Sequence, residues 1–222
     1  MGNLQRLVVL DMDSTFIRQE VIDLLAAHAG VGEEVSAITE RSMRGEMDFH
    51  QSLTARTSLL AGLPDTVFDD VRLEVTLSQG AEQLVKVLHS LGEKIAVVSG
   101  GFENVIAPIL EGVGVDYFKA NLLEIDAGFL TGRIIGPVID REAKARYLQA
   151  LARELEIPLS QTVAVGDGAN DLGMMEIAGL SIAFNAKPIV VQAADVAITD
   201  GDLLGVLRFM GITAKESNSN LL

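Results

Sequence analysis

Three short apolar runs, Leu7-Val8-Val9-Leu10, Ile95-Ala96-Val97-Val98 and Thr162-Val163-Ala164-Val165, each stop abruptly at polar or glycine-rich residues. A run of that length without polar alternation suits a strand buried on both faces of a parallel sheet. Helical periodicity fills the intervals: Gly80 opens a helix carrying Leu84, Val85 and Leu88, which Gly92 closes. Another helix runs through Ile106 and Leu110, and a third spans roughly Arg141 to Leu155. Strand and helix in alternation imply an α/β fold, an open parallel sheet with right-handed crossovers. Short strands near Ser181–Phe184 and Val196–Ile198 complete the sheet. The alternating segments Asn121–Ile125 and Leu130–Ile135, around Asp126-Ala127-Gly128, predict a hairpin near 120–137.

The stretch from Phe16 to Thr76 has a different character. Val21, Leu24 and Leu25, then Val35 and Ile38, recur three or four apart with polar residues between, and Gly30 and Gly62-Leu63-Pro64 punctuate helix ends. Residues 16–76 therefore read as a small helical insertion directly after the first strand, and 1–15 with 77–222 as the α/β core. The polar tail from Lys215 is expected to fray.

Composition removes several kinds of chemistry. The 222 residues contain no Cys, which excludes disulfides, thiol catalysis and thiolate metal sites. A formal net charge of −14 opposes a nucleic-acid partner. No apolar run reaches membrane-spanning length, and Met1–Arg6 lacks the apolar core of a signal peptide, so a cytoplasmic protein without a membrane partner is expected. An anionic chain that binds a phosphate must gather local positive charge from a metal, Lys, Arg or exposed backbone N–H groups.

In open parallel sheets ligands sit beyond the carboxyl ends of the strands, where this chain places Asp11 and Asp13, Ser99, and Asp167. Asp, Ser and Thr after a strand can simply cap and turn the chain. Two carboxylates so close can also separate in pKa, which suits a nucleophile beside a proton carrier. Asp167 and Asp171, within Gly166-Asp167-Gly168-Ala169-Asn170-Asp171, complete an all-oxygen cluster that selects a hard cation such as Mg²⁺. Ser99-Gly100-Gly101 offers a hydroxyl and backbone N–H groups at a helix start, a natural phosphate cradle. Lys144, early in its helix, would on its own read as a solvated surface residue, but the clustered acids and a phosphate require a fixed cation, which makes it the candidate. His28, His50 and His89 show no triad or metal spacing and are assigned to the surface or the insertion.

Asp11-Met12-Asp13-Ser14-Thr15, Ser99, Lys144 and Gly166–Asp171 occur in the order found in haloacid-dehalogenase-like phosphatases, and the chain resembles that superfamily over nearly its whole length. Val97-Val98-Ser99-Gly100-Gly101-Phe102 and Glu20 bring it nearest to the phosphoserine phosphatase branch. The resemblance implies a Rossmann-like core with an α-helical cap, without the N-terminal regulatory domain that some members carry. Leu77-Ser78-Gln79, ahead of Gly80, lacks a Pro often found there, which bears on the cap hinge.

The resemblance also implies a mechanism. Asp11 attacks phosphorus and forms an aspartyl-phosphate; Asp13 protonates the leaving serine oxygen and then deprotonates water. One Mg²⁺ per site is implied on Asp11, the Asp13 carbonyl and Asp167, with Asp171 behind. Ser99, Gly100, Lys144 and Asn170 are implied around the phosphate. Glu20 is implied at the substrate ammonium, Arg56 at its carboxylate, and Met43 and Phe49 on the pocket wall. From the residues alone Arg41 and Arg44 rival Arg56. The expected partner is a small phosphomonoester, O-phosphoserine above others, and the protein is expected as a monomer or homodimer. Another small phosphomonoester, a phosphotransferase or a phospho-accepting switch are the alternative functions.

Overall fold

The computed structural model describes residues 5–212; the tail from Lys215 lies outside them. Seven strands, β1 (Leu7–Leu10), β2 (Lys94–Phe102), β3 (Tyr117–Asp126), β4 (Phe129–Ile135), β5 (Thr162–Gly166), β6 (Leu180–Phe184) and β7 (Val196–Ile198), form one sheet. Their order is β4-β3-β2-β1-β5-β6-β7. Every neighbouring pair is parallel except β3–β4, the hairpin. β1 is central, flanked by β2 and β5 in matching register, with Leu10 opposite both Val97 and Val165.

The apolar runs are explained by burial on both faces. Val8 and Leu10 join one core with Leu84 and Leu88 of α5 (Ala81–Ser90) and Ile106 and Leu110 of α6 (Glu103–Val113). Leu7 and Val9 point the other way, into a second core with Leu148 and Leu151 of α7 (Arg141–Glu154) and Met174 of α8 (Leu172–Ile177). Period-two alternation on a strand thus serves two apolar layers, leaving no position on β1 for a polar residue. The first polar side chain appears where the strand clears the sheet, at Asp11.

Four helices, α1 (Val21–Ala29), α2 (Gly32–Met43), α3 (Phe49–Ser58) and α4 (Val67–Glu74), occupy the stretch between β1 and α5. Asp48 and Gln51 close a reciprocal capping box at the start of α3. α1 packs on α2, α4 and β2, while α3 lies against β4. Backbone hydrogen bonds tie the α3–α4 connection to the hairpin: Gly62 N–H to Leu130 C=O at 2.8 Å, Leu130 N–H to Leu63 C=O at 2.8 Å, and Asp65 N–H to Gly128 C=O at 2.9 Å.

β2 runs longer than its apolar pattern predicts. The strand continues through Ser99-Gly100-Gly101 to Phe102, with a register shift against β3 between Val98 and Phe102. The glycines allow the backbone to bulge instead of breaking the strand. α6 starts only at Glu103, so Gly100 and Gly101 sit on a bulge ahead of the helix and not at its first turn.

Candidate active site

The carboxyl edge of the sheet gathers the acids. The chain leaves β1 through one wide turn, Met12–Phe16, closed by Ile17 N–H donating to Met12 C=O at 2.9 Å. Ser14 takes a left-handed φ of 57° in it and directs its hydroxyl to Glu20 at 2.7 Å. The same turn aims Asp13 in two directions. Its Oδ1 accepts Val21 N–H, at the start of α1, at 2.9 Å, and its Oδ2 accepts Ser99 Oγ–H at 3.0 Å. α1 has no side-chain cap of its own, so Asp13 satisfies one of its orphan donors from outside the helix.

Asp11 is only 4% exposed. Its Oδ1 accepts Met12 N–H at 2.8 Å and the Lys144 ammonium at 2.6 Å. Lys144, 0% exposed, also donates to Asp171 Oδ1 at 2.7 Å. It lies in the first turn of α7, whose N-cap Asp140 accepts Ala143 N–H at 2.7 Å. Asp171 Oδ2 accepts Asp167 N–H at 3.1 Å and Gly168 N–H at 3.0 Å. Asp171 thus braces both Lys144 and the loop bearing Asp167. A Cβ at Gly166 would lie 2.4 Å from the Asp171 carboxyl carbon, so this brace needs glycine there.

Crowding shows in the electrostatics. Burial, then Asp171 and Asp13, push the Asp11 carboxyl well above the usual carboxylate range, against the pull of Lys144. Burial, then Glu20, raise Asp13 to about 7. Burial, then Asp171 and Glu20, raise Asp167 to about 6. Burial would lower the Lys144 pKa, but Asp11 and Asp171 outweigh it and raise it. The edge therefore holds more negative charge than its cations balance.

Carboxylate oxygens of Asp11, Asp167 and Asp171 lie within 4.8 Å of one another. Asp171 is occupied by Lys144 and two N–H groups, whereas among the described residues the Asp167 carboxylate has only a long 3.5 Å contact from Thr15 Oγ. Hard oxygen donors and uncompensated charge fit a divalent cation, with Asp11 and Asp167 the more available ligands.

A cavity of about 280 Å³ opens over these groups, lined by Asp11, Asp13, Gly100, Gly101, Phe102, Asp167 and Asn170 from one side and Glu20, Phe49 and Arg56 from the other. Phe49 lies over the β2 bulge, where a Cβ on Gly100 would come within 3.2 Å of its ring. Burial lowers the Arg56 pKa, opposed by Asp23, Glu20 and Asp13, so the guanidinium is half withdrawn from water and faces acids. Arg41 and Arg44 instead pair with Glu46 on the surface.

Ser99 and Lys144 stand behind the cavity wall, with the Ser99 hydroxyl committed to Asp13. Met43 is not brought to the site: it ends α2, 68% exposed, because only Val35 of that helix is buried. Lys187, together with Ile22 and Leu53, lines the cavity without having been singled out in the sequence. The signal was present, since Asn185-Ala186-Lys187 follows β6 at the same sheet edge.

A family model for haloacid dehalogenase-like hydrolases matches residues 8–176. The chain belongs to this family. Among similar haloacid dehalogenase-like hydrolases, a phosphoserine phosphatase of Streptomyces coelicolor is 54% identical over 96% of this chain, which spans 52% of that relative. A phosphoserine phosphatase of Streptococcus thermophilus is 47% identical over 97% of this chain and 100% of its own length. The solved structure of a phospho-aspartyl intermediate analogue of phosphoserine phosphatase superposes with a TM-score of 0.87 at 44% identity, covering 94% of this chain and 99% of that one.

Proposed function

We propose that this haloacid dehalogenase-like hydrolase converts O-phospho-L-serine and water to L-serine and phosphate through an aspartyl-phosphate on Asp11, the step that ends serine biosynthesis. The observation that carries the reading is one small cavity in which Asp11 and Asp13 face Glu20 and Arg56. A carboxylate and a half-buried guanidinium beside a nucleophile match the ammonium, carboxylate and phosphate of phosphoserine. The names of the similar proteins support the same substrate.

Asp11 Oδ1 is held by Lys144 and Met12 N–H, which leaves Oδ2 to attack phosphorus as the bond to the serine oxygen breaks. Asp13, poised to carry a proton near neutrality, gives it to that oxygen. The Asp13 carboxylate then takes a proton from the water whose oxygen attacks phosphorus, and the Asp11–phosphorus bond breaks to release phosphate. Gly100 and Asn170 border the phosphate, while Lys144 and Ser99 fix Asp11 and Asp13 from behind. Asp11, the Asp13 carbonyl and Asp167 would hold Mg²⁺, with Asp171 bracing them. When bound, Mg²⁺ supplies positive charge to the phosphate oxygens.

Residues 16–76 act in this reading as a cap over the core of 1–15 and 77–222, supplying Glu20, Phe49 and Arg56. Among the described residues no helix is long and apolar enough to cross a membrane.

Phosphate release from L-phosphoserine, phosphoethanolamine, glycerol phosphate and a sugar phosphate tests the substrate. Preference for phosphoserine is expected; preference for another ester would keep the Asp11 chemistry and discard the roles of Glu20 and Arg56. Arg56→Ala should lower kcat/KM for phosphoserine by about 10- to 100-fold, chiefly through KM, the loss expected for one desolvated charge pair. Phosphoethanolamine, which lacks the carboxylate, should be almost unaffected, and equal losses on both would refute the assignment.

Chelation should abolish turnover and Mg²⁺ restore it. Added to the chelated protein, Mg²⁺ at about 100 times its Kd should raise the unfolding midpoint by about 5–10 °C, because a ligand that binds only the folded state stabilises it by about 2.7 kcal/mol. An unchanged midpoint in differential scanning calorimetry would contradict a cation at these acids.

A further inference from the structure

Asn121, on β3 outside the cavity, is 1% exposed. Its Nδ2 donates to Gly100 C=O at 2.8 Å, and its Oδ1 accepts Ile139 N–H at 2.8 Å. The bulge in β2 displaces Gly100 from the sheet ladder, and the Asn121 amide reaches across to hold its carbonyl. Ile139 stands just before Asp140, the N-cap of the helix that carries Lys144. One buried side chain thus joins the bulge under the phosphate position to the root of the Lys144 helix.

The bonds continue in one direction. The Gly100–Gly101 peptide is a rigid trans plane, so holding its C=O fixes its N–H on the opposite edge. That N–H, on Gly101, donates to Ser99 Oγ at 2.8 Å, and Ser99 Oγ donates to Asp13 Oδ2 at 3.0 Å. With Gly101 N–H filling one lone pair of the hydroxyl, its proton is directed at Asp13. Hydrogen bonds aligned donor to acceptor in a buried chain polarise one another. There is little freedom for another arrangement: a Cβ on Gly101 would sit 2.5 Å from Asp13 Oδ2 and 3.0 Å from Ser99 Oγ.

We infer that Asn121 is a positioning residue for the phosphatase reaction, acting through the Gly100–Gly101 peptide and Ser99 to hold the carboxylate of Asp13 in line with the leaving oxygen. The inference rests on the reading of the site as a phosphomonoesterase. Asn121 touches neither substrate nor cation; its effect belongs to kcat, because Asp13 works in the chemical step, while Glu20 and Arg56 still bind the amino-acid end.

The test is a double-mutant cycle of Asn121→Leu with Ser99→Ala, with kcat and KM for phosphoserine measured per folded molecule and stability by urea unfolding. Asn121→Asp, which keeps the shape and the acceptor for Ile139 and in its ionised form loses the donor to Gly100, runs beside it, assayed above the pH at which that carboxyl gives up its proton, and serves if the leucine variant does not fold. Each Asn121 variant should lose about 10- to 100-fold in kcat, the range for partners that orient catalytic groups, with KM changed less than about threefold. In the Ser99→Ala background the same substitution should cost less than about threefold, since the chain is already cut. Wild-type kcat in the folded variants, or losses that simply add, would overturn the inference. Absence of turnover in the unsubstituted enzyme would overturn the phosphatase reading instead. The stability cycle would still judge the chain, with additive destabilisation counting against it.

Discussion

Lys144→Ala is expected to lower kcat by about 10³-fold, the cost of removing a fixed charge from a reacting group, and to destabilise the fold by about 3–5 kcal/mol. Both losses have one origin. The ammonium is fully buried between Asp11 at 2.6 Å and Asp171 at 2.7 Å. Alanine leaves two carboxylates facing each other in a dry site, each already burdened by acidic neighbours. The Asp171 brace on Asp167 N–H and Gly168 N–H would loosen with it. Urea unfolding reads the stability and phosphate release per folded molecule reads the chemistry. Wild-type stability would mean that Lys144 is not the ion that neutralises this edge. Because Asp11 and Asp171 raise the Lys144 pKa, its contribution is complete below the ordinary lysine range and is lost only as pH rises through the raised value. The deficit of the alanine variant should shrink as pH falls, because Asp11, already raised by burial, Asp171 and Asp13, loses the pull of Lys144 and takes up a proton more readily.

Asp11→Asn should reduce turnover by at least about 10⁴-fold, as loss of a nucleophile does when residual rate comes from binding and charge alone. Its stability should move the other way from Lys144→Ala. Asn keeps the shape and can still accept Met12 N–H and the Lys144 ammonium, while removing a charge that burial, Asp171 and Asp13 all disfavour. The substituted protein should still bind phosphoserine, since Glu20 and Arg56 are untouched, and isothermal titration can measure that. Turnover within tenfold of the parent, taken as about the smallest meaningful drop on a 1.4 kcal/mol scale, would remove Asp11 from the nucleophile's role.

The core was legible because its constraints are local. Leu7–Leu10 is apolar at every position since both faces are buried, and a strand that must be apolar throughout can turn polar only at its end, where Asp11 appears. The same logic located Asp167, while alternation on either side located the hairpin turn at Asp126-Ala127-Gly128. What the sequence could not show depends on how elements meet. The glycines after Val98 read as a strand end, yet β3 pairs with Phe102 and carries β2 across the bulge. Periodicity does not distinguish Met43 from a buried methionine; the seat of α2 on its neighbours, through Val35, leaves it exposed. Nor could spacing choose among Arg41, Arg44 and Arg56, because the choice turns on Glu46 claiming the first two. Asn121 was visible only as part of an alternating strand, since its partners Gly100 and Ile139 are distant in the chain.

The most direct test of the account is rapid acid quenching of the enzyme with phosphoserine and Mg²⁺, followed by mass spectrometry of its peptides. One phosphoryl group on the peptide containing Asp11, formed and lost at rates at least equal to kcat and missing in Asp11→Asn, is the predicted result. Phosphate release at full rate with no label at Asp11, or with label on another residue, would contradict it.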